Sequence, residues 1–220
     1  MRIYLRLSQN KKKVIPFNYQ ELLTGTVHKW LGANNASHGK PNQISFSWIQ
    51  NTYSTKDGLN LKSNAYFFIG AFQDALIKQI VKGVLDDPTM FCGVKAQEVQ
   101  IVDTPEFRPT ETFLMASPVL LKLKTETGTK HVTLEDAEFE EVLNQSFKNK
   151  LKRAKLPTDG VLLKLDPDSH YRKTKMIRYK GIENKALLTP IFIKGNSEQI
   201  GFAWSAGLGN STGAGFGTLK

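Results

Sequence analysis

Gly207-Leu208-Gly209-Asn210-Ser211-Thr212-Gly213-Ala214-Gly215-Phe216-Gly217 places five glycines in eleven residues, close to Lys220 at the end of the 220-residue sequence. Glycine adopts positive φ freely and lets backbone N–H groups approach an anion unobstructed, so such a run suits a phosphate. Two familiar phosphate loops do not fit. A nucleotide P-loop needs Gly-Lys-Ser/Thr leading into a helix, and no lysine lies within the run. A dinucleotide fingerprint needs its glycines to open a helix, whereas only Lys220 lies beyond Leu219, so no helix dipole is on hand for a pyrophosphate. Taken alone, the run reads equally as a structural hairpin between a last helix and a closing strand.

The elements ahead of it decide between these readings. Arg2 to Leu7 alternates polar and apolar residues, a half-buried strand. Asn18, with Glu21 three residues on, predicts a helix start, and Gly32 a stop after Leu31. Between them Tyr19, Leu22, Leu23, Thr26, Val27, Trp30 and Leu31 make one apolar stripe at helical spacing. Asn34 to Gln43 is a polar loop. Ile44–Ile49 and Leu59–Phe72 predict strands turning at Asp57-Gly58, Asp74–Leu85 an amphipathic helix, and Phe91–Val102 a fourth strand. The order is βαββαβ, the ferredoxin-like pattern.

Thr104-Pro105-Glu106-Phe107-Arg108-Pro109 marks a boundary, dividing the chain into residues 1–103 and 104–220. A less regular second copy follows: a strand over Phe113–Lys124, and a helix capped by Thr133 and running to about Lys152. Strands follow at Val161–Leu165, Lys175–Lys180 and Leu187–Ile193, then a short helix at Glu198–Ala206 and a closing strand at Gly215–Leu219. The expected fold is α+β, two tandem ferredoxin-like domains with a C-terminal glycine-rich loop.

Thirty Lys and Arg against 20 Asp and Glu give a formal charge of +10. The first part holds 12 basic and 7 acidic residues and the second 18 and 13, so each carries +5. The excess belongs to both halves and favours a shared basic surface that captures polyanions. The single cysteine, Cys92, excludes an internal disulfide and a four-cysteine zinc site, and its apolar neighbours predict a buried small side chain. Met1-Arg2-Ile3-Tyr4 opens directly on a strand with no signal peptide ahead of it. No apolar run reaches the roughly 18 residues of a membrane span, so the expectation is a cytoplasmic protein with no membrane partner.

A glycine loop of this form, closing a basic chain with two βαββαβ-like halves, resembles the repeat-associated RNA-binding superfamily. Within it the sequence is similar to the CRISPR repeat-cleaving endoribonucleases, the Cas-six family. The likeness covers nearly the whole chain: the Met1-Arg2-Ile3 strand, the Tyr19-Gln20 to Leu31 helix, the histidine loop before Phe46-Ser47, and the Ala116-Ser117-Pro118-Val119 strand. It implies a metal-independent endoribonuclease that matures precursor CRISPR RNA without a cofactor. Products would carry a 2′,3′-cyclic phosphate or 3′-phosphate and a 5′-hydroxyl. Its partner would be CRISPR repeat RNA, with a place in an interference complex and a homodimer left open. The rival is a non-catalytic RNA-binding subunit of such a complex, which would need no histidine.

The chemistry asks for proton transfer, and an imidazole titrates near neutrality. His28 falls outside the apolar stripe of its helix, beside Thr24 and Glu21, and so can face a groove. The resemblance implies a catalytic or positioning role for it, and the principal catalytic role for His38 in the loop Asn34–Pro41. Lys40 is the nearby candidate for stabilising charge on the phosphorane. The resemblance also assigns RNA contacts to Gly207, Gly209, Ser211, Gly213, Gly215 and Gly217, and to Lys152 and Arg153. Those two end a helix with acidic residues at its start (Glu135 to Glu141) and basic ones at its end, an arrangement its dipole prefers in any case. His131 and His170 read as surface residues, and Tyr66-Phe67-Phe68 as core rather than a base-stacking platform.

Overall fold

The computed structural model describes residues 1–10, 13–32, 43–126 and 128–220. Its first half runs β1 (Arg2–Gln9), α1 (Gln20–Leu31), β2 (Ile44–Phe46), β3 (Gln50–Ser54), β4 (Leu59–Ala71), α2 (Asp74–Asp86) and β5 (Val94–Val102). The strands pair antiparallel in the order β2-β4-β1-β5, with Tyr4 opposite both Phe68 and Gln100. Alternation along β1 sends Ile3, Leu5 and Leu7 into the core. They meet Leu23, Val27 and Trp30 of α1 and Ile77, Ile80 and Val84 of α2 there. Gly83 lets α1 and α2 close, since a Cβ there would overlap the Trp30 carbonyl oxygen.

Several boundaries depart from expectation for local reasons. The strand expected over Ile44–Ile49 forms only over Ile44–Phe46, and a second short strand follows it as β3, because the 13-residue β4 is long enough to pair with both. Asn51 takes φ 58° at the register shift in β3, a conformation asparagine tolerates. Asn18 does not cap α1; Tyr19 stands at the N-cap without a side-chain bond, and the Glu21 carboxylate instead accepts the backbone N–H of Lys180. Leu22 leaves the predicted stripe, at 41% exposure. Cys92 is half-buried rather than enclosed, because it turns the chain with φ 49° ahead of Gly93. Phe67 faces the helices, while Phe68 packs against Tyr4 on the opposite face of the sheet, ring centroids 5.0 Å apart and tilted by 31°.

The second half contains β6 (Thr110–Phe113), β7 (Leu121–Thr125), β8 (Gly128–Val132), α3 (Phe139–Arg153), β9 (Leu162–Leu165), β10 (Lys173–Tyr179), β11 (Ile182–Leu188), β12 (Ile191–Lys194) and α4 (Ser197–Ala206). Its sheet order is β6-β12-β9, and a bridge from Met115 to Leu219 continues it on the far side of β6. With the bridge as fourth strand, this is the strand order of the first half. The irregularity lies in two inserted hairpins, β7-β8 and β10-β11. The strand expected over Phe113–Lys124 breaks at Ser117-Pro118, and that over Leu187–Ile193 at Thr189-Pro190, because proline has no N–H to give a ladder. α3 begins at Phe139, not at Thr133. Thr133 and Asp136 hydrogen-bond each other in a turn ahead of it, the Asp136 carboxylate accepting from the Thr133 N–H at 2.7 Å. The closing strand reduces to the Leu219 bridge, preceded by a 3₁₀ turn at Thr212–Ala214.

Two apolar cores result, one of residues from Ile3 to Ala96 and one from Phe113 to Leu219. Arg2 joins them. Its guanidinium is buried 3.8 Å from the Trp204 ring centroid and donates to the carbonyls of Trp204 at 3.2 Å and Leu219 at 2.8 Å. Ser45 Oγ donates to Ser205 O at 3.0 Å, and Thr218 Oγ1 to Phe46 O at 2.7 Å. A smaller cluster of Leu120, Ile177, Ala186 and Phe216, with Trp48 packed on it, sits beneath the β10-β11 hairpin.

Candidate functional site

Gln20, Thr24 and His28 stand at i, i+4 and i+8, so α1 presents them along one face. All three reach the same short stretch of the glycine loop. Gln20 Nε2 and Thr24 Oγ1 donate to the Ala214 carbonyl, the latter at 3.3 Å, and His28 Nε2 lies 3.3 Å from the Gly213 carbonyl oxygen. Trp48 Nε1 fixes Gln20 in turn, donating to its Oε1 at 2.7 Å. A carbonyl can only accept, so this contact puts the hydrogen of a neutral His28 ring on Nε2 and leaves Nδ1 as the basic nitrogen. The structure thus brings together His28 of the first half and Gly213 of the second, separated by 185 residues in sequence.

Most of the glycine run is interior. Gly207, Gly209, Gly215 and Gly217 are buried, with φ between 68° and 78°. A Cβ on Gly207 would come within 2.7 Å of the Gly217 carbonyl oxygen, one on Gly209 within 2.5 Å of that of Leu120, and one on Gly217 would overlap that of Leu208. The loop is closed at its base by Leu208 N–H donating to Gly217 O and Gly217 N–H to Pro118 O, both at 2.8 Å. What faces outward is its tip, where Ser211 is exposed at φ 59° and Gly213 half-buried. Gly217→Ala should therefore lose on the order of 3 kcal/mol of stability through backbone strain and overlap. Gly213→Ala, at ordinary φ, should lose little, and thermal denaturation of the two variants checks the contrast.

Beneath the tip, Lys150 of α3 donates to Ala206 O at 2.8 Å, Gly207 O at 2.7 Å and Thr212 Oγ1 at 3.3 Å. Lys152 and Arg153 follow it in the last turn of α3 and are exposed. The β10-β11 hairpin carries exposed Lys173, Lys175, Arg178, Lys180 and Lys185, and is tied to α1 through the Glu21 bond. Sequence reading placed strands at Lys175–Lys180 and from Leu187 but gave the cations of this hairpin no role, although five of them in thirteen residues against the single acid Glu183 were visible there. It also passed over Gln20 and Lys150, whose roles depend on backbone acceptors far away in sequence.

His38 and Lys40 lie outside the described residues. His131 is half-buried, where burial first and then Lys122 and Lys185 hold its imidazolium below the ordinary histidine pKa, and His170 is exposed, as its reading as a surface residue expects. Among the described residues, no three His, Cys, Asp or Glu side chains converge as metal ligands, and no helix is long and apolar enough to cross a membrane.

Two ferredoxin-like domains, with a helix of the first docked on a glycine loop closing the second, define the repeat-associated class of RNA-binding fold. Residues 102–220 match the family described as CRISPR associated protein Cas6, C-terminal, and the chain belongs to that family. Over its whole length it is 25% identical to the CRISPR-associated endoribonuclease Cas6 1 of Methanocaldococcus jannaschii, of which it covers 92%. Among solved structures, the product of a Cas6-related gene from Pyrococcus furiosus shares the fold with a TM-score of 0.86 at 22% identity, covering all of this chain and 97% of that one. An RAMP protein described as binding different RNA substrates gives 0.85 at 18% identity, with coverage of 100% and 98%.

Proposed function

We propose that this protein is a metal-independent endoribonuclease that binds CRISPR repeat RNA and cuts precursor CRISPR RNA into guide RNAs. The observation that carries the reading is the seating of His28 on the Gly213 carbonyl, which sets a proton-transfer group beside the one exposed part of the loop. The endoribonuclease relative and the family match support it. In this reading residues 1–103 carry the catalytic histidines, and residues 104–220 carry the RNA-binding loop.

RNA brings its own nucleophile. Removing the proton of a 2′-hydroxyl lets that oxygen attack the adjacent phosphorus. The bond to the 5′-oxygen of the next nucleotide then breaks, and that oxygen takes up a proton. The products are a 2′,3′-cyclic phosphate and a 5′-hydroxyl, with no water or metal consumed. We assign the proton transfers chiefly to His38, with His28 carrying or positioning the second, and charge stabilisation on the phosphorane to Lys40. Ser211 and Gly213 at the loop tip are the proposed direct phosphate contacts. Gly207, Gly209, Gly215 and Gly217 shape the loop from within. Lys152, Arg153 and the cations of the β10-β11 hairpin extend the basic surface on which most affinity for a polyanion rests.

Chelation tests the reading. Purified protein should cut labelled repeat RNA at an unchanged rate in excess EDTA. Loss of cleavage on chelation, restored by magnesium or manganese, would reject the mechanism, and absence of cleavage under every condition would favour a non-catalytic RNA-binding subunit.

A further inference from the structure

Lys152 and Arg153 at the end of α3 turn to solvent, whereas Lys150 turns its amine beneath the glycine loop. The residue as a whole is half-buried, and its amine is held among three acceptors. An ammonium has three N–H donors, and three acceptors surround this one: the carbonyls of Ala206 and Gly207, where the loop begins, and Thr212 Oγ1 at its tip. From the other side α1 holds the loop by the Ala214 and Gly213 carbonyls. The outward tip is thus suspended between a helix of the first half and one cation of the second.

We propose that Lys150 is the positioning residue of the glycine loop, a buried amine whose three hydrogen bonds hold the loop in its RNA-binding shape. The proposal rests on the reading that the loop binds RNA. The charge acting on the amine is of its own sign: Arg153 on α3 repels it. The end of α4 meets it through the Ala206 and Gly207 carbonyls and the 3₁₀ turn through Thr212, none of them ionisable; His28 of α1 meets the same loop at Gly213. Burial first, and Arg153 second, bring the Lys150 pKa down to about 7. A pKa lowered in the held loop means that loss of the proton does not favour a released loop, whose amine would titrate as an ordinary lysine, so the hold rests on the hydrogen bonds and not on the charge.

The test is binding of an uncleavable 2′-deoxy repeat RNA by the full chain, by Lys150→Met and by Lys150→Gln at one fixed pH. If the competent loop falls to about a tenth of the population without the three bonds, Lys150→Met binds about tenfold more weakly than the parent. Lys150→Gln, which keeps neutral N–H donors, should lie between the two. The salt dependence of binding should stay the same in the variants, because the amine holds carbonyls rather than phosphate. A slope reduced by about one would make Lys150 a direct phosphate contact and overturn the positioning role. So would variants that match the parent in affinity. Hydrogen exchange at Leu208, Asn210 and Gly217 should quicken in Lys150→Met at fixed pH, and unchanged exchange counts against the proposal even if the parent binds no repeat RNA, an outcome that would sink the proposed function separately. Should Lys150→Met fail to fold, Lys150→Gln carries the same comparison.

Discussion

A repeat RNA with one 2′-deoxy nucleotide immediately upstream of the cut should bind within about twofold of the natural repeat and yield no product. Binding is spared because affinity for RNA rests on phosphates spread along a basic surface, and a single 2′-hydroxyl adds little to it. Cleavage is lost because the substitution removes the attacking atom itself, and nothing in the proposed site activates water in its place. An experiment under single-turnover conditions, with protein in excess, separates the two effects. Cleavage of the deoxy substrate at the natural rate would mean that water attacks. The proton-transfer roles given to His38 and His28 would then be wrong.

The next largest effect should come from His38→Ala. Loss of one general acid or base typically removes about 10²–10⁴-fold in rate, while one loop histidine adds little to affinity. The variant should bind repeat RNA nearly as tightly as the parent and cut it slower by that factor at saturating protein. His28→Ala should lower the rate by less and also weaken binding, since His28 braces the loop tip at the Gly213 carbonyl. An unchanged rate in His38→Ala would remove it from the chemistry. Equal losses of rate in both variants would move His28 from brace to proton carrier.

How much of this was legible beforehand follows from the range of each interaction. Alternation along Arg2–Leu7 and helical spacing over Tyr19–Leu31 are local signals, and both elements form where they predict. Gly32 ends α1 as read, but the N-cap signals at Asn18 and Thr133 misled: Glu21, read as one arm of a capping box, is taken by the Lys180 backbone 159 residues away. The second half blurred because two hairpins are inserted into its βαββαβ order, and because prolines at 118 and 190 cut what read as continuous strands. In the site, the histidine on α1 and the glycine run could each be picked out by type. Their junction through Gln20, Thr24 and Gly213 could not, since backbone carbonyls carry no sequence signature. Nor could sequence separate the buried Lys150 from Lys152 and Arg153 beside it, as all three stand in one basic run whose placement the helix dipole alone would favour.

The ends left on the cut RNA test the central claim most directly. Repeat RNA incubated with the purified protein should give an upstream fragment ending in a 2′,3′-cyclic phosphate or 3′-phosphate, and a downstream fragment whose 5′-hydroxyl is labelled by polynucleotide kinase without prior phosphatase treatment. Fragments carrying a 5′-phosphate and a 3′-hydroxyl would show attack by water, and would contradict the account of this protein as an enzyme that turns the RNA's own 2′-hydroxyl against its backbone.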